Sequence, residues 1–278
     1  MMWVEDWRGI AQSVGFAGLL SMGLSACSGA DFALPSISDA EISQASLTVG
    51  SGASDLPKFQ RSEAEYRQML RNVSDRLTAS APALCRHAKV ESCSIDLKYS
   101  DEDTVNAYAS DRSSVTVHRG LLELLQSEEE VAAVVAHEFG HHLAEHIEEK
   151  QQNAAIGAIL LGVLAAGGVA AAGGDMSDTA AANAVGTFAG VGAQIGALSY
   201  SKEQEREADL LSAYLLARAG YDLEKAGRVW WVLAQQNKNK VKSTLFDTHP
   251  AGPERIAAWE KATVEVEKSP DKLPPWKP

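Results

Sequence analysis

The residues with the clearest chemical potential are His137-Glu138-Phe139-Gly140-His141. On a helix, positions i and i+4 share a face, so the two imidazoles can bind one Zn2+ ion from the same side. Glu138 stands one residue on, near the same edge. There its carboxylate can act as general base towards a water that the ion acidifies. A catalytic ion also needs a third protein ligand and an open position. The carboxylates of Ser201-Lys202-Glu203-Gln204-Glu205-Arg206-Glu207-Ala208-Asp209 compete for that place. Glu205 and Asp209 stand at i, i+4 on a face that continues into Ser212 and Leu216, so it can turn inward. Glu203 and Glu207 read as a solvated helix face. An Asp one turn from the ligand can accept the free N–H of a metal-bound His and fix its tautomer. The bland alternatives are a pair of ordinary histidines or a closed structural site. Structural zinc sites are usually Cys-rich, whereas this set has two His, a carboxylate and a ready base.

Periodicity and caps place the elements that must hold these residues. Ser127 as N-cap, followed by Glu128-Glu129-Glu130, opens a long helix predicted from Glu128 to about Lys150. A second helix runs from about Lys202 to Ala219 and stops at Gly220; a third spans about Leu223 to Asn237. Upstream, Phe59, Tyr66, Met69, Leu70, Val73 and Leu77 repeat at helical spacing, and the pattern ends near Pro82. Ser94–Tyr99, Thr104–Ala109 and Ser113–His118 alternate in character between Asp- and Ser-rich turns, which predicts a small antiparallel sheet. The fold class is therefore α+β and predominantly helical, with zinc held between the two motif helices. His142 and His146 also stand at i, i+4, on a face turned from the ligands, and read as surface or supporting residues, with an accessory metal site as the alternative.

Between the motif helices, Ala154–Gly174 and Thr179–Tyr200 carry no charge and are rich in Ala and Gly. Their length would permit two membrane spans, but Ala and Gly supply little transfer energy. The preferred reading is a closely packed helical hairpin of a soluble domain, with a membrane-touching segment or a lid as alternatives.

The ends of the chain suggest export. Ile10–Ala26 is an uncharged apolar run of signal-peptide length, and it ends in Leu24-Ser25-Ala26-Cys27, which resembles the lipobox of bacterial lipoproteins. Arg8 is the only basic residue before it, opposed by Glu5 and Asp6. The lipobox likeness implies a lipidated Cys27, and Ser28 after it points to the outer membrane; a buried helix with a chance Cys is the alternative. Residues 28–57 read as a flexible tether, 58–264 as the domain and 265–278 as a fraying Lys- and Pro-rich tail. Cys85 and Cys93 remain, and in an oxidising compartment they suit either a disulfide or two buried thiols. With Lys+Arg 25 against Asp+Glu 37 the net charge is −12, which argues against a nucleic-acid partner.

The pairing of His-Glu-Phe-Gly-His with Glu-Arg-Glu-Ala-Asp some sixty residues later resembles the HtpX, CAAX prenyl endopeptidase and Oma-type zinc peptidases. Within that family the chain is most similar to the periplasmic LoiP and BepA branch. Asn106-Ala107-Tyr108-Ala109, Ala208–Tyr221 and His249-Pro250 with Glu254-Arg255-Ile256 match further family motifs, over about Lys58 to Ala257. Ser212 stands where relatives often carry Ala or Gly.

The resemblance implies a gluzincin-type fold with one Zn2+ on His137, His141 and Glu205, and Glu138 as base. It places Asp209 behind a ligand, Arg255 near the site, and His249 beside the metal, where it either fills a coordination position or assists the reaction. Asn106–Ala109 would be an edge strand that pairs with extended peptide. The implied role is periplasmic hydrolysis of unfolded or misassembled envelope proteins. The rival is a mostly latent zinc protein that acts as a chaperone-like assembly factor for outer-membrane proteins. The several membrane spans of the prenyl-protease branch are not matched, so its substrate is not implied.

Overall fold

The computed structural model describes residues 31–51, 56–109, 114–175, 177–196, 200–238, 249 and 252–278. The apolar run, the lipobox and Cys27 lie outside the described residues. The described chain is mostly helical. Its elements are α1 (Asp39–Gly50), α2 (Glu63–Ser80), α3 (Pro82–Ala88), β1 (Asp96–Ser100), β2 (Ala107–Ala109), β3 (Ser114–His118) and α4 (Arg119–Leu122). Then follow α5 (Glu128–Leu143), α6 (His146–Ala171), α7 (Thr179–Gly196), α8 (Lys202–Arg218), α9 (Leu223–Lys238) and α10 (Pro253–Lys268).

Helix α5 is the centre of the molecule. Ser127 caps it by accepting the Glu130 N–H, and three Glu in the first turn favour its positive end. From Glu130 to Leu143 every residue is buried, against α8, α9, α2 and the sheet. Each fully covered Leu or Val of this core contributes about 1.5–3 kcal/mol by leaving water. Gly140 sets how closely α8 approaches. A Cβ there would lie 2.5 Å from the Ala208 carbonyl oxygen, so only glycine admits this helix crossing. Helix α8 opens on a capping box between Ser201 and Gln204 and ends before Gly220, which takes φ 71° as a C-terminal cap should.

The sheet is mixed, not purely antiparallel. Its order is β1-β3-β2: β3 lies between the other two, antiparallel to β2 and parallel to β1. Three strands that alternate in direction are all antiparallel only when neighbours in sequence are neighbours in space. Here β3 has slipped between its predecessors, and alternation within strands carries no information about that.

The long helix predicted to Lys150 is broken. Glu145 takes the left-handed conformation at φ 55°, which ends α5 and starts α6 in a new direction. Helices α6 and α7 then pack along each other as a hairpin. Their outer surfaces are bare: Ile159 is 65% exposed, Leu164 68% and Phe188 54%. Helix α6 is long and apolar enough to cross a membrane, and none of its apolar window is buried.

Residues 31–50, read as flexible from their composition, pack on the domain instead. Ser38 and Glu41 form a capping box, and α1 buries Ala45 and Val49 as it lies on α10 and α9. The tail does not fray either. Phe32 is buried and stacks on Trp276 with ring centres 4.3 Å apart, and the two residues form an antiparallel bridge. Cys85 and Cys93 form a disulfide with Cα atoms 6.0 Å apart.

Candidate metal centre

Helix α5 aims His137 and His141 at α8, and α8 returns Glu205. The Nε2 atoms of the two imidazoles lie 3.1 Å apart, and each lies 3.4 Å from a Glu205 oxygen. His249 joins them from the segment before α10. Its Nδ1 lies 2.9 Å from Glu205 Oε1 and 3.2 Å from His137 Nε2. All four residues are buried, and one donor atom from each falls within 4.8 Å of the others. These separations fit a metal ion. A tetrahedron with bonds of about 2.0–2.1 Å to its centre has edges of about 3.3–3.4 Å, close to what these atoms show. Nitrogen and carboxylate donors, with no thiolate, make up the set.

The remaining atoms of these side chains are held from behind. Asp209 lies one turn along α8 from Glu205, and its Oδ1 is 2.9 Å from His137 Nδ1. Arg255, on α10, forks onto Asp209 through Nε at 2.9 Å and Nη2 at 2.8 Å, and its Nη1 reaches Glu205 at 2.6 Å. The Trp230 ring lies under the guanidinium at 4.3 Å. Burial is the largest single influence on the Glu205 and Asp209 carboxyls and raises both, but the Arg255 charge and the His137 contacts together outweigh it, and both are held below the usual carboxylate range. Burial and Arg255 push the His137 imidazole down; the Asp209 and Glu205 carboxylates win and bring it to about 9. His141 is driven the other way, chiefly by burial.

Glu138 is buried beside this cluster. Its Oε2 accepts the Ala109 N–H of β2 at 3.2 Å, and its Oε1 has no hydrogen-bond partner among the described residues. That free oxygen lies 3.5 Å from His249 Nε2. Strand β2 is therefore tied to the motif helix while forming the edge of the sheet. Asn106 precedes it, and its carbonyl accepts the His118 N–H at 3.0 Å; Ala107 is buried and Tyr108 exposed.

Glu207 and Tyr200 escape the sequence reading, and His146, read as a surface or supporting residue, lies at the centre and not on a face turned from it. His146 is buried, with Nδ1 2.9 Å from His141 Nδ1, because the break at Glu145 turns it inward. Glu207 is buried, not solvated; it bonds His146 at 3.0 Å and the Phe32 N–H at 2.6 Å. Tyr200 stacks on His141 with ring centres 3.8 Å apart. His142 is buried too, bonded at 3.0 Å to the Ser92 carbonyl inside the disulfide loop. Glu203 is exposed as predicted.

A comparison with protein families decides the assignment. The model of peptidase family M48 matches residues 72–263. The chain belongs to peptidase family M48. The His, His, Glu and His cluster implies a metal ion. The chain is similar to the metalloprotease LoiP of Escherichia coli, 29% identical over 88% of this chain and 87% of that protein. It is 32% identical to the beta-barrel assembly-enhancing protease of Yersinia pestis, over 56% of this chain and 32% of that one. The mitochondrial metalloendopeptidase OMA1 of Arabidopsis thaliana is 30% identical over 64% of this chain and 33% of its own length. The chain thus spans about a third of the assembly-enhancing protease and of OMA1, but most of LoiP.

Proposed function

We propose that this M48 member is a zinc endopeptidase of the bacterial periplasm, anchored to the outer membrane through a lipid on Cys27. Its substrates in this reading are unfolded or misassembled envelope proteins. The observation that carries it is the cluster of His137 Nε2, His141 Nε2 and the two Glu205 oxygens, with the imidazole nitrogens 3.1 Å apart and each 3.4 Å from one Glu205 oxygen, and the free Glu138 oxygen beside them. One Zn2+ on those atoms would supply Lewis acidity towards a peptide carbonyl and an attacking water. Glu138 takes the proton of that water on Oε1 and delivers it to the leaving amide nitrogen. Arg255 keeps Glu205 and Asp209 ionised, and Asp209 orients His137. The outer edge of β2 can receive an extended peptide through backbone hydrogen bonds, which suits unfolded chains of varied sequence. The names of the assembly-enhancing relatives support an envelope role, and the outer-membrane assembly machinery is the partner this suggests. The net charge of −12 disfavours strongly acidic substrates.

One observation favours a second state. His249 Nδ1 lies among the ligand atoms, in the place a catalytic site leaves open. In this reading it is a resting arrangement that substrate must displace, and a protein kept there would act mainly as a chaperone-like assembly factor.

Cleavage of an unfolded model protein by wild type and Glu138→Gln, each with its zinc content measured, tests the peptidase reading. Wild-type cleavage should vanish in the variant while one zinc stays bound. Absence of cleavage from both, with zinc present, would overturn it in favour of the chaperone-like role. His249→Ala should raise activity if His249 holds a resting state, and lower it if His249 assists the reaction.

A further inference from the structure

His146 stands outside the ligand cluster, yet it is buried and bonded at both ring nitrogens. His141 turns Nε2 to the cluster, so its proton resides on Nδ1, which lies 2.9 Å from His146 Nδ1. A neutral imidazole has one donor and one acceptor nitrogen, so His146 accepts at Nδ1 and donates at Nε2. That donor meets Glu207 Oε2 at 3.0 Å. The other Glu207 oxygen accepts the backbone N–H of Phe32 at 2.6 Å. Each proton along this chain thereby has one place.

The far end of the chain of hydrogen bonds is fixed by the two termini of the described fold. Ala33 N–H donates to the Pro275 carbonyl and Lys277 N–H to that of Asp31, both at 2.8 Å. Arg206, the neighbour of Glu205 and Glu207 on α8, donates to the Pro35 carbonyl at 2.6 Å. His137 receives a carboxylate directly, from Asp209 on the helix that also supplies Glu205. His141 receives one only through a second imidazole, and that carboxylate is shared with a segment far away in sequence.

We propose that His146 and Glu207 are positioning residues for His141, and that the seating of residues 31–35 against the tail sets the affinity of the metal centre. The inference rests on the reading of His141 as a ligand through Nε2. It gives the N-terminal segment a task beyond connection: an event that unseats Phe32 loosens a metal ligand without touching the ligand cluster.

Zinc affinity of the full-length protein, measured by competition with a chromophoric chelator, tests this apart from activity. His146→Leu should weaken binding about 10- to 100-fold, the range for loss of such supporting contacts. His146→Gln should recover most of that loss, because a carboxamide can accept from His141 and donate to Glu207. Glu207→Gln should cost about tenfold, since one of its two acceptor oxygens becomes a donor. Phe32→Pro and Phe32→Ala both lose the stacking on Trp276, but only proline lacks the N–H, so proline should bind zinc more weakly. The cobalt-substituted His146→Leu protein should show a shifted absorption band. Affinity within twofold of wild type in His146→Leu overturns the proposal; if that variant does not fold, Glu207→Gln decides by the same criterion. Equal affinities for the two Phe32 variants overturn the link to the N-terminal segment. A His141→Ala protein that binds zinc as tightly as wild type would instead refute the metal centre itself.

Discussion

Helices α5 and α8 bury Glu130, His137, Glu138, His141, Glu205, Glu207 and Asp209, while the hairpin inserted between them in sequence leaves Ile159, Leu160, Val163 and Leu164 in the open. The usual division of polar outside and apolar inside fails in both: the first region buries acids and imidazoles together with its apolar residues, and the second leaves apolar residues in the open. In the first, each acid and imidazole is close to a partner, and Arg255 supplies a counter-charge to Glu205 and Asp209. In the second, α6 and α7 cover only the seam between them. Burial here follows from the availability of partners and of packed neighbours, not from residue polarity alone.

The sharpest way to break that comparison is to remove one partner in each region. Arg255→Ala leaves Glu205 and Asp209 buried without their counter-charge, and loss of one member of such a group costs about 3–5 kcal/mol. Leu164→Gln exchanges an exposed apolar side chain for a polar one and should move stability by less than about 0.5 kcal/mol. Urea unfolding of both variants measures the difference. A mild Arg255→Ala would mean that the buried acids find another partner.

A second comparison uses one substitution in two places. Gly140→Ala drives a methyl group against the Ala208 backbone, so α5 and α8 must separate, at a cost of about 1–3 kcal/mol. Gly167→Ala meets nothing within 4 Å, so only helix propensity acts, and it favours Ala by up to about 1 kcal/mol. The two changes should shift the unfolding midpoint in opposite directions. A neutral Gly140→Ala would show that the helix crossing tolerates expansion.

The legibility of the sequence divides along the same line. His137, His141, Glu205 and Asp209 were readable because i, i+4 spacing fixes a shared face wherever the helix sits, and caps fixed where those helices begin. Glu207 escapes the sequence reading because it lies two residues from Glu205, on another side of α8, which residues 31–35 and His146 cover through contacts distant in sequence. The inward turn of His146 is not legible because the helical pattern runs across Glu145, a residue type with no special bias towards positive φ. Strand order escaped for a similar reason: β3 enters between β1 and β2 through contacts distant in sequence. The Ala- and Gly-rich segments announced a hairpin, but their composition could not say that its outer face would stay bare.

The smallest contrast is in pH dependence. Residues 154–171 and 179–196 contain no ionisable side chain, so the helical arms cannot make stability depend on pH. Glu130, at the start of α5, can. Burial is the strongest influence on its carboxyl and raises it above the ordinary glutamate value; the Gln126 N–H at 2.6 Å and Arg228 at 3.4 Å only partly oppose this. Above pH 4.5 the folded chain therefore retains a proton that the unfolded chain has already released. More protons on the folded state means that stability falls as pH rises through that window. Glu130→Gln stays neutral and still offers an oxygen to the Gln126 N–H, so it should remove this share of the slope. Unfolding free energies of the two proteins, compared from pH 4 to pH 7, should diverge in favour of the variant as pH rises, whereas Leu164→Gln should run parallel to wild type. Parallel curves for Glu130→Gln would mean that its carboxyl is as well stabilised in the fold as in water, and that the first turn of α5 carries no electrostatic cost.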